Sequence, residues 1–168
     1  MSPIFKKLNL KDQAEIVVTA APASFEPEIA LLRGVTVRRA LGGAPVAFSL
    51  AFVTRQNEID AAAAAIGKLA AGDAIVWFAY PKQSSKNYRC EFNRDTGFGA
   101  LGKHGFEGVR MVAIDADWSA VRFRRVEYIK KLTRGEEWAL SAAGKDKARR
   151  DAAKPAKPRA AGRGSARK

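Results

Sequence analysis

Residues 74–80 read AIVWFAY, and residues 46–53 read VAFSLAFV. Neither run has a polar face, and both are far shorter than the roughly 20 apolar residues that span a bilayer. Between them, residues 56–71 repeat apolar side chains at helical spacing, which predicts an amphipathic helix. Strands that are apolar on both faces are typical of the centre of a parallel sheet. The order strand, helix, strand therefore predicts two parallel strands with a helix packed against them.

The same alternation continues on both sides of this unit. A further helix is predicted between Ser24 and Gly34, and a short, weak one over residues 94–104. The last two strands are joined by a turn so short that they must pair antiparallel, and a change of alternation near Arg125 predicts a bulge. We therefore expect an α/β fold of three layers, with a Rossmann-like, mostly parallel sheet that ends in an antiparallel hairpin. The additional predicted strands cover residues 15–20, 35–41, 109–114 and 120–129.

The positive charge is concentrated at the C-terminal end. The chain has 168 residues and a net charge of +13, and residues 144–168 contain ten Lys or Arg but only two Asp. Because this Lys/Ala/Pro-rich stretch cannot bury a core, we expect a Rossmann-like domain over residues 1–143 and a disordered basic tail over residues 144–168. Such a tail can bind nucleic-acid phosphates without sequence preference, and a solubilising tail has the same composition. The cations that would contact phosphates are Lys154, Lys157, Arg159, Arg163, Arg167 and Lys168.

Cysteine and histidine are too few for several kinds of site. Cys90 is the only cysteine, which excludes an intrachain disulfide, and no flanking motif marks an activated thiolate. His104 is the only histidine and follows a predicted helix end, where the helix dipole favours it. We expect no metal site, although the spacing leaves one alternative, a site formed by the carboxylates of Asp95, Asp115 and Asp117. Without a signal peptide or an apolar span, we also expect a cytoplasmic protein that does not contact a membrane.

The polar loop over residues 81–87 is the best candidate for a ligand site. It follows a central strand, and ligands of open α/β sheets bind beyond the carboxyl ends of the strands, where the strand order reverses. Its ammonium groups, hydroxyls and free amides suit a small anion such as phosphate or carboxylate. The simpler alternatives are a solvated loop and, for Trp118, packing against the sheet. The residues predicted to line this site are Lys82, Ser84, Ser85, Lys86, Thr54, Arg55 and Trp118.

Two motifs resemble a bacterial family of unknown function. Residues 77–82 read WFAYPK and residues 115–119 read DADWS, and in that family a W-x-x-Y/W-P-K strand end precedes a D-x-x-W-S turn. The likeness covers roughly residues 6–130. With the order of elements, which resembles that of class I methyltransferases, it implies a shortened methyltransferase-like Rossmann domain and no particular activity.

The residues argue against S-adenosylmethionine as a cofactor. Adenosyl and dinucleotide cofactors need a glycine-rich turn after the first strand and an acidic residue at the end of the second. Here the turn over residues 20–25 reads AAPASF, and the second strand offers Arg38 and Arg39. We therefore expect no cofactor at this place.

Three functions stay open. The first is a binding module that holds a small anion or a protein partner at the carboxyl edge of the sheet. The second is a divergent enzyme of methyltransferase-like fold without the usual cofactor motif. The third is a nucleic-acid accessory protein that binds through its basic tail. The small number of histidine and cysteine residues favours the binding module.

Overall fold

The computed structural model describes residues 2–93, 96–132 and 136–153. Its strands are β1 (Glu15–Thr19), β2 (Thr36–Arg38), β3 (Val46–Phe52), β4 (Ala70–Pro81), β5 (Phe106–Ala113) and β6 (Trp118–Arg125). Its α-helices are α1 (Pro3–Lys7), α2 (Glu26–Ala30), α3 (Gln56–Leu69), α4 (Gly99–Gly102) and α5 (Ala142–Ala153). Short 3₁₀ turns cover Ala23–Phe25, Val126–Tyr128 and Glu136–Trp138.

In the described part of the chain, the strands form one sheet in the order β2-β1-β3-β4-β6-β5. The first four strands are parallel, whereas β6 is antiparallel to both β4 and β5. This confirms the predicted fold class, a mostly parallel Rossmann-like sheet with an antiparallel hairpin at one edge. Because β2 lies on one side of β1 and β3 on the other, the strand order reverses between β1 and β3.

The central strands are buried on both faces, as their composition predicts. One face carries Phe48 and Trp77 and packs against α1 and α2, and the other carries Phe78 and packs against α3 and α4. Trp77 is fully buried, and its Nε1 donates a hydrogen bond to Leu8 O at 2.8 Å. Each large apolar side chain buried in this way contributes roughly 1.5–3 kcal/mol. Helices on both faces complete the three layers.

Helix α3 follows its predicted apolar stripe but ends earlier than expected. Ile59, Ala63 and Ile66 are buried, and the chain passes from Leu69 directly into β4. Gly67 lies in its interior because a Cβ there would collide with the imidazole of His104. Within the described residues, no helix has the length and apolar character that crossing a membrane requires.

Several predicted boundaries differ from the structure for local reasons. Helix α1 was not predicted, because five residues are too few for periodicity to indicate a helix; the Ser2 hydroxyl caps it by accepting from Phe5 N at 3.3 Å.

The predicted bulge near Arg125 is wrong. The register shift lies on β5 between Gly108 and Arg110, and beyond Arg125 the chain enters a 3₁₀ turn, which explains the change of alternation.

The predicted start of the disordered tail, Gly144, lies inside α5, so the expectation of disorder is wrong for residues 144–153. The sequence analysis did not predict α5 because polar groups, and not large apolar side chains, attach this helix to the sheet. The buried carboxylate of Glu107 accepts from Leu140 N at 2.8 Å, from Ser141 N at 2.7 Å and from Ser141 Oγ at 2.7 Å. Asp151 accepts from Leu132 N at 2.9 Å. Residues 154–168, with all six predicted phosphate-binding cations, lie outside the described residues.

We expect Glu107→Ala to detach α5 from the sheet, because it leaves two buried amides and a hydroxyl without their acceptor. The free energy of unfolding should fall by roughly 2–4 kcal/mol in urea titrations followed by circular dichroism. Glu137→Ala is the matched control, since Glu137 is exposed. A Glu107→Ala loss within about 0.5 kcal/mol of the control would show that these bonds do not hold the helix.

Candidate ligand-binding cleft

An open cleft of about 1090 Å³ lies at the carboxyl end of β4. We call it the carboxyl-edge cleft. The end of β4 and the chain that follows it form most of the wall, and Ser119 of β6 closes one side. Its size suits a small-molecule ligand. The polar residues of its lining are Tyr80, Lys82, Gln83, Ser84, Ser85, Tyr88, Arg89, Cys90, Glu91, Asn93, Thr96 and Ser119.

One wall of the cleft is fixed by hydrogen bonds between the loop after β4 and the turn between β5 and β6. Lys82 donates through its backbone N to Asp117 O at 2.7 Å and through Nζ to Asp115 O at 2.6 Å. The Asp117 carboxylate accepts from Ser85 Oγ at 2.8 Å and from Asn87 Nδ2 at 3.1 Å. Asp115 and Asp117 therefore hold the loop in place. Among the described residues, no three His, Cys, Asp or Glu side chains gather where they could hold a metal ion.

Arg89 is the cation of the lining that these bonds leave available. It is exposed, and it has no hydrogen bond or ion pair with any described residue. The carboxylate of the lining, Glu91, accepts from Gln56 N at 3.1 Å and so stabilises the start of α3. The guanidinium of Arg89 is therefore the group most ready to pair with an anionic ligand.

The predicted site residues do not all come together. Lys82, Ser84 and Ser85 line the cleft, although Lys82 and Ser85 already serve the loop. Lys86 is exposed beside the cleft but does not line it, and Arg55 is exposed before α3. Thr54 is not in the lining either, since its hydroxyl donates to Glu58 Oε1 at 3.1 Å. The sequence analysis missed the lining residues Tyr80, Tyr88, Arg89, Glu91, Asn93 and Thr96, because nothing in the sequence showed that the chain after residue 87 folds back over the sheet edge.

Trp118 packs against the sheet instead of facing the cleft. It is 3% exposed, and its ring lies 5.1 Å from that of Phe52 and 4.9 Å from that of Tyr88. The ring of Phe25, in the turn after β1, lies 4.9 Å from Phe52. Phe25, Phe52, Trp118 and Tyr88 form what we call the aromatic row. Phe25 follows the end of β1 and Phe52 ends β3, so both lie next to the point where the strand order reverses and where a Rossmann-like sheet usually binds its cofactor.

The residues around this crevice do not fit S-adenosylmethionine in the usual place. The turn after β1 contains no glycine, and Ala20 takes the left-handed conformation with φ 54° that glycine adopts without strain. Beyond the end of β2, Arg39 donates to both carboxylate oxygens of Glu26 at 2.8 Å. These bonds hold the pKa of Glu26 below its usual value. Glu26 is therefore engaged, and a cation occupies the place where a ribose needs an acceptor.

Cys90 lines the cleft as a protonated thiol. Burial raises its pKa, the repulsion of Glu91 adds to that effect, and a hydrogen bond with the backbone of Phe92 opposes it. The nucleophilic form of cysteine is the thiolate, so this environment does not activate Cys90.

We expect the rate of Cys90 alkylation to increase with pH about a midpoint above the pKa of about 8.5 of an unperturbed thiol. Because the pKa is raised, the thiolate is scarcer at pH 7.5 than in the unfolded chain, and iodoacetamide should react more slowly. Mass spectrometry measures both rates, with the same chain in urea as the control. A midpoint below that of the unfolded chain would contradict the assignment of an inert thiol.

A scan against models of protein families found no match, and a search of curated proteins found none. Solved structures do match. A SAM-dependent methyltransferase from Aquifex aeolicus is 15% identical with a TM-score of 0.52, over 72% of this chain and 87% of that one. The N-methyltransferase NodS from Bradyrhizobium japonicum is 11% identical with a TM-score of 0.47, over 71% and 91% of the two chains. At these identities the likeness concerns the fold, and the chain has a methyltransferase-like Rossmann domain.

Proposed function

We propose that the chain is a divergent enzyme of methyltransferase-like fold that acts on a small anionic substrate in the carboxyl-edge cleft. The observation that carries this proposal is the guanidinium of Arg89, which lines a cleft at the carboxyl edge of the sheet and pairs with no described residue. Arginine binds carboxylate and phosphate through paired, charge-assisted hydrogen bonds, which fix both position and orientation.

The balance of charge in the cleft favours an anion. Among the described residues of the lining, the cations are Lys82 and Arg89 and the carboxylate is that of Glu91. The amide of Gln56 donates to that carboxylate and offsets part of its charge. The exposed hydroxyl of Ser84 and amide of Gln83 add neutral donors. A carboxylate or phosphate ester of modest size meets these groups without leaving a charge unpaired.

The fold favours an enzyme over a passive binding module. The neighbour from Aquifex aeolicus is described as a methyltransferase, and the cleft lies at the same kind of sheet edge where α/β enzymes act. Tyr88 and Glu91 bring a phenol and a carboxylate to the lining, and both can exchange protons with a bound substrate. Because the turn after β1 has no glycine and Arg39 pairs with Glu26 beyond β2, no step of this proposal uses S-adenosylmethionine.

A thermal-shift screen of the full chain tests the cleft. Dicarboxylates, sugar phosphates and nucleotides are compared at constant ionic strength, and a cleft ligand at a hundred times its Kd should raise the Tm by roughly 5–10 °C. The same ligand should slow the alkylation of Cys90, which lies in the lining. Arg89→Gln should weaken binding about 10- to 100-fold, because it removes a charged hydrogen-bond donor.

Arg33→Gln is the matched control, since Arg33 is exposed at the end of α2 and bonds to the backbone oxygens of Ala30 and Leu32. A ligand that binds equally well to Arg89→Gln and to the control would overturn the site. Mass spectrometry of the bound ligand after incubation, with and without S-adenosylmethionine, then tests for turnover. Binding without conversion would favour the binding module, and transfer of a methyl group would overturn the exclusion of the cofactor.

A second candidate function is binding of single-stranded nucleic acid at the C-terminal end. Helix α5 contacts the 3₁₀ turns that carry Tyr128 and Trp138, and these side chains are 38% and 55% exposed. The exposed face of α5 carries Lys145 and Arg150, and the basic residues 154–168 follow it. An exposed aromatic ring beside cations is the arrangement that binds bases by stacking and phosphates by charge.

The fluorescence of Trp138 provides a test, because Trp77 and Trp118 are buried. Titrating the full chain with a single-stranded thymidine oligonucleotide should quench the emission, and affinity should fall steeply with salt. Trp138→Phe should remove most of the quenching and weaken binding by roughly 1 kcal/mol or more. Quenching that is unchanged in Trp138→Phe, or affinity that does not depend on salt, would exclude this surface.

A further inference from the structure

Three arginines lie on one face of the β5–β6 hairpin, outside the carboxyl-edge cleft. Arg110 of β5 is directly opposite Arg122 of β6 in the register of the strands. Arg124 lies two residues beyond Arg122 and therefore on the same face. On the other side of β6, the partner of Arg122 is Trp77 of β4. The face thus presents two cations opposite each other at the point where the hairpin joins the core.

Among the described residues, the Asp73 carboxylate faces these arginines, and both of its oxygens accept hydrogen bonds from Arg124. Arg124 Nε donates to Asp73 Oδ1 at 2.8 Å, and Arg124 Nη2 donates to Asp73 Oδ2 at 2.5 Å. This bond lowers the pKa of Asp73 and raises that of Arg124. Arg110 and Arg122 have no hydrogen bond or ion pair with any described residue. Two positive charges on this face consequently lack a counter-charge.

Arg122 is held in an unfavourable environment. Its Nε is buried and has no hydrogen-bond partner in the described part of the chain. Burial lowers the pKa of Arg122, the charges of Arg124 and Arg110 lower it further, and Asp73 acts in the opposite direction. Like charges directly opposite each other on neighbouring strands destabilise a sheet. The fold therefore keeps a buried donor and a repulsive pair that Asp73, already bound to Arg124, offsets only in part.

We propose that Arg110 and Arg122 form a binding site for the phosphate group of a small molecule. Phosphate accepts several hydrogen bonds at once and matches the planar fork of guanidinium, so one group can bind to both side chains. Its negative charge offsets the repulsion across the two strands, and its oxygens can accept hydrogen bonds from both guanidinium groups. None of these residues lines the carboxyl-edge cleft, so this site is independent of the function proposed above.

Inorganic phosphate is the probe, added to the full chain at constant ionic strength with chloride as the reference. Phosphate should raise the Tm in a saturable way, and Arg122→Gln and Arg110→Gln should each remove most of the rise. In phosphate-free buffer, Arg110→Gln should raise the Tm by about 1–3 °C, because it relieves the repulsion between the strands. A purely structural role for Arg110 predicts the opposite sign.

Arg33→Gln is the matched control and should keep the full response to phosphate. Arg110 is exposed, so its variant keeps the test informative even if Arg122→Gln does not fold. The proposal is overturned by an equal rise with chloride or by an unchanged response to phosphate in Arg110→Gln. It is also overturned by loss of the response in Arg89→Gln, which would assign the phosphate to the cleft.

Discussion

The burial of β3 and β4 on both faces is the constraint on which the rest of the molecule depends. From Ala74 to Tyr80, every side chain is at most 6% exposed. A strand that is apolar on both sides must be covered on both sides, because exposing either row costs the transfer free energy of several large side chains. Helix α3 covers one face and the N-terminal α1 and α2 cover the other. The carboxyl edge is left as the place where loops leave the sheet, and the cleft lies there.

The same burial extends to the place where a methyltransferase-like fold usually binds its cofactor. The reversal of strand order between β1 and β3 leaves a gap beyond their ends in any sheet of this topology. In this chain Phe25 and Phe52 pack against each other beside that place, and both are 2% exposed. A ligand that displaced these two phenylalanines would expose them, at a cost of roughly 1.5–3 kcal/mol for each side chain. The carboxyl-edge cleft lies instead at the end of β4, one strand away from the reversal. The loop that forms one of its walls is bound to Asp117.

The sequence predicted the sheet well because its strands carry the strongest signal. Both central runs lack a polar face, with Ser49 the one polar residue in them, and the short turn before Trp118 leaves only an antiparallel pairing. Helices α1 and α5 were missed for opposite reasons. The first is too short for periodicity, and the second is attached through the carboxylates of Glu107 and Asp151, a kind of contact that composition does not indicate.

The candidate site was harder to predict than the fold because it depends on which polar groups remain free. Lys82 looks like an anion-binding residue in the sequence, yet its ammonium group donates to a backbone oxygen. Arg89 has no motif around it, yet it is the cation of the described lining that pairs with no described residue. The same distinction separates Arg124, which Asp73 neutralises, from Arg110 and Arg122, which no described carboxylate reaches. Counting charges along the sequence places most of the net positive charge of this chain in residues 144–168. Pairing them separates Arg89, Arg110 and Arg122, which form no ion pair with a described residue, from cations such as Arg124 that a carboxylate neutralises, and an anion bound beside the former would gain most from the protein.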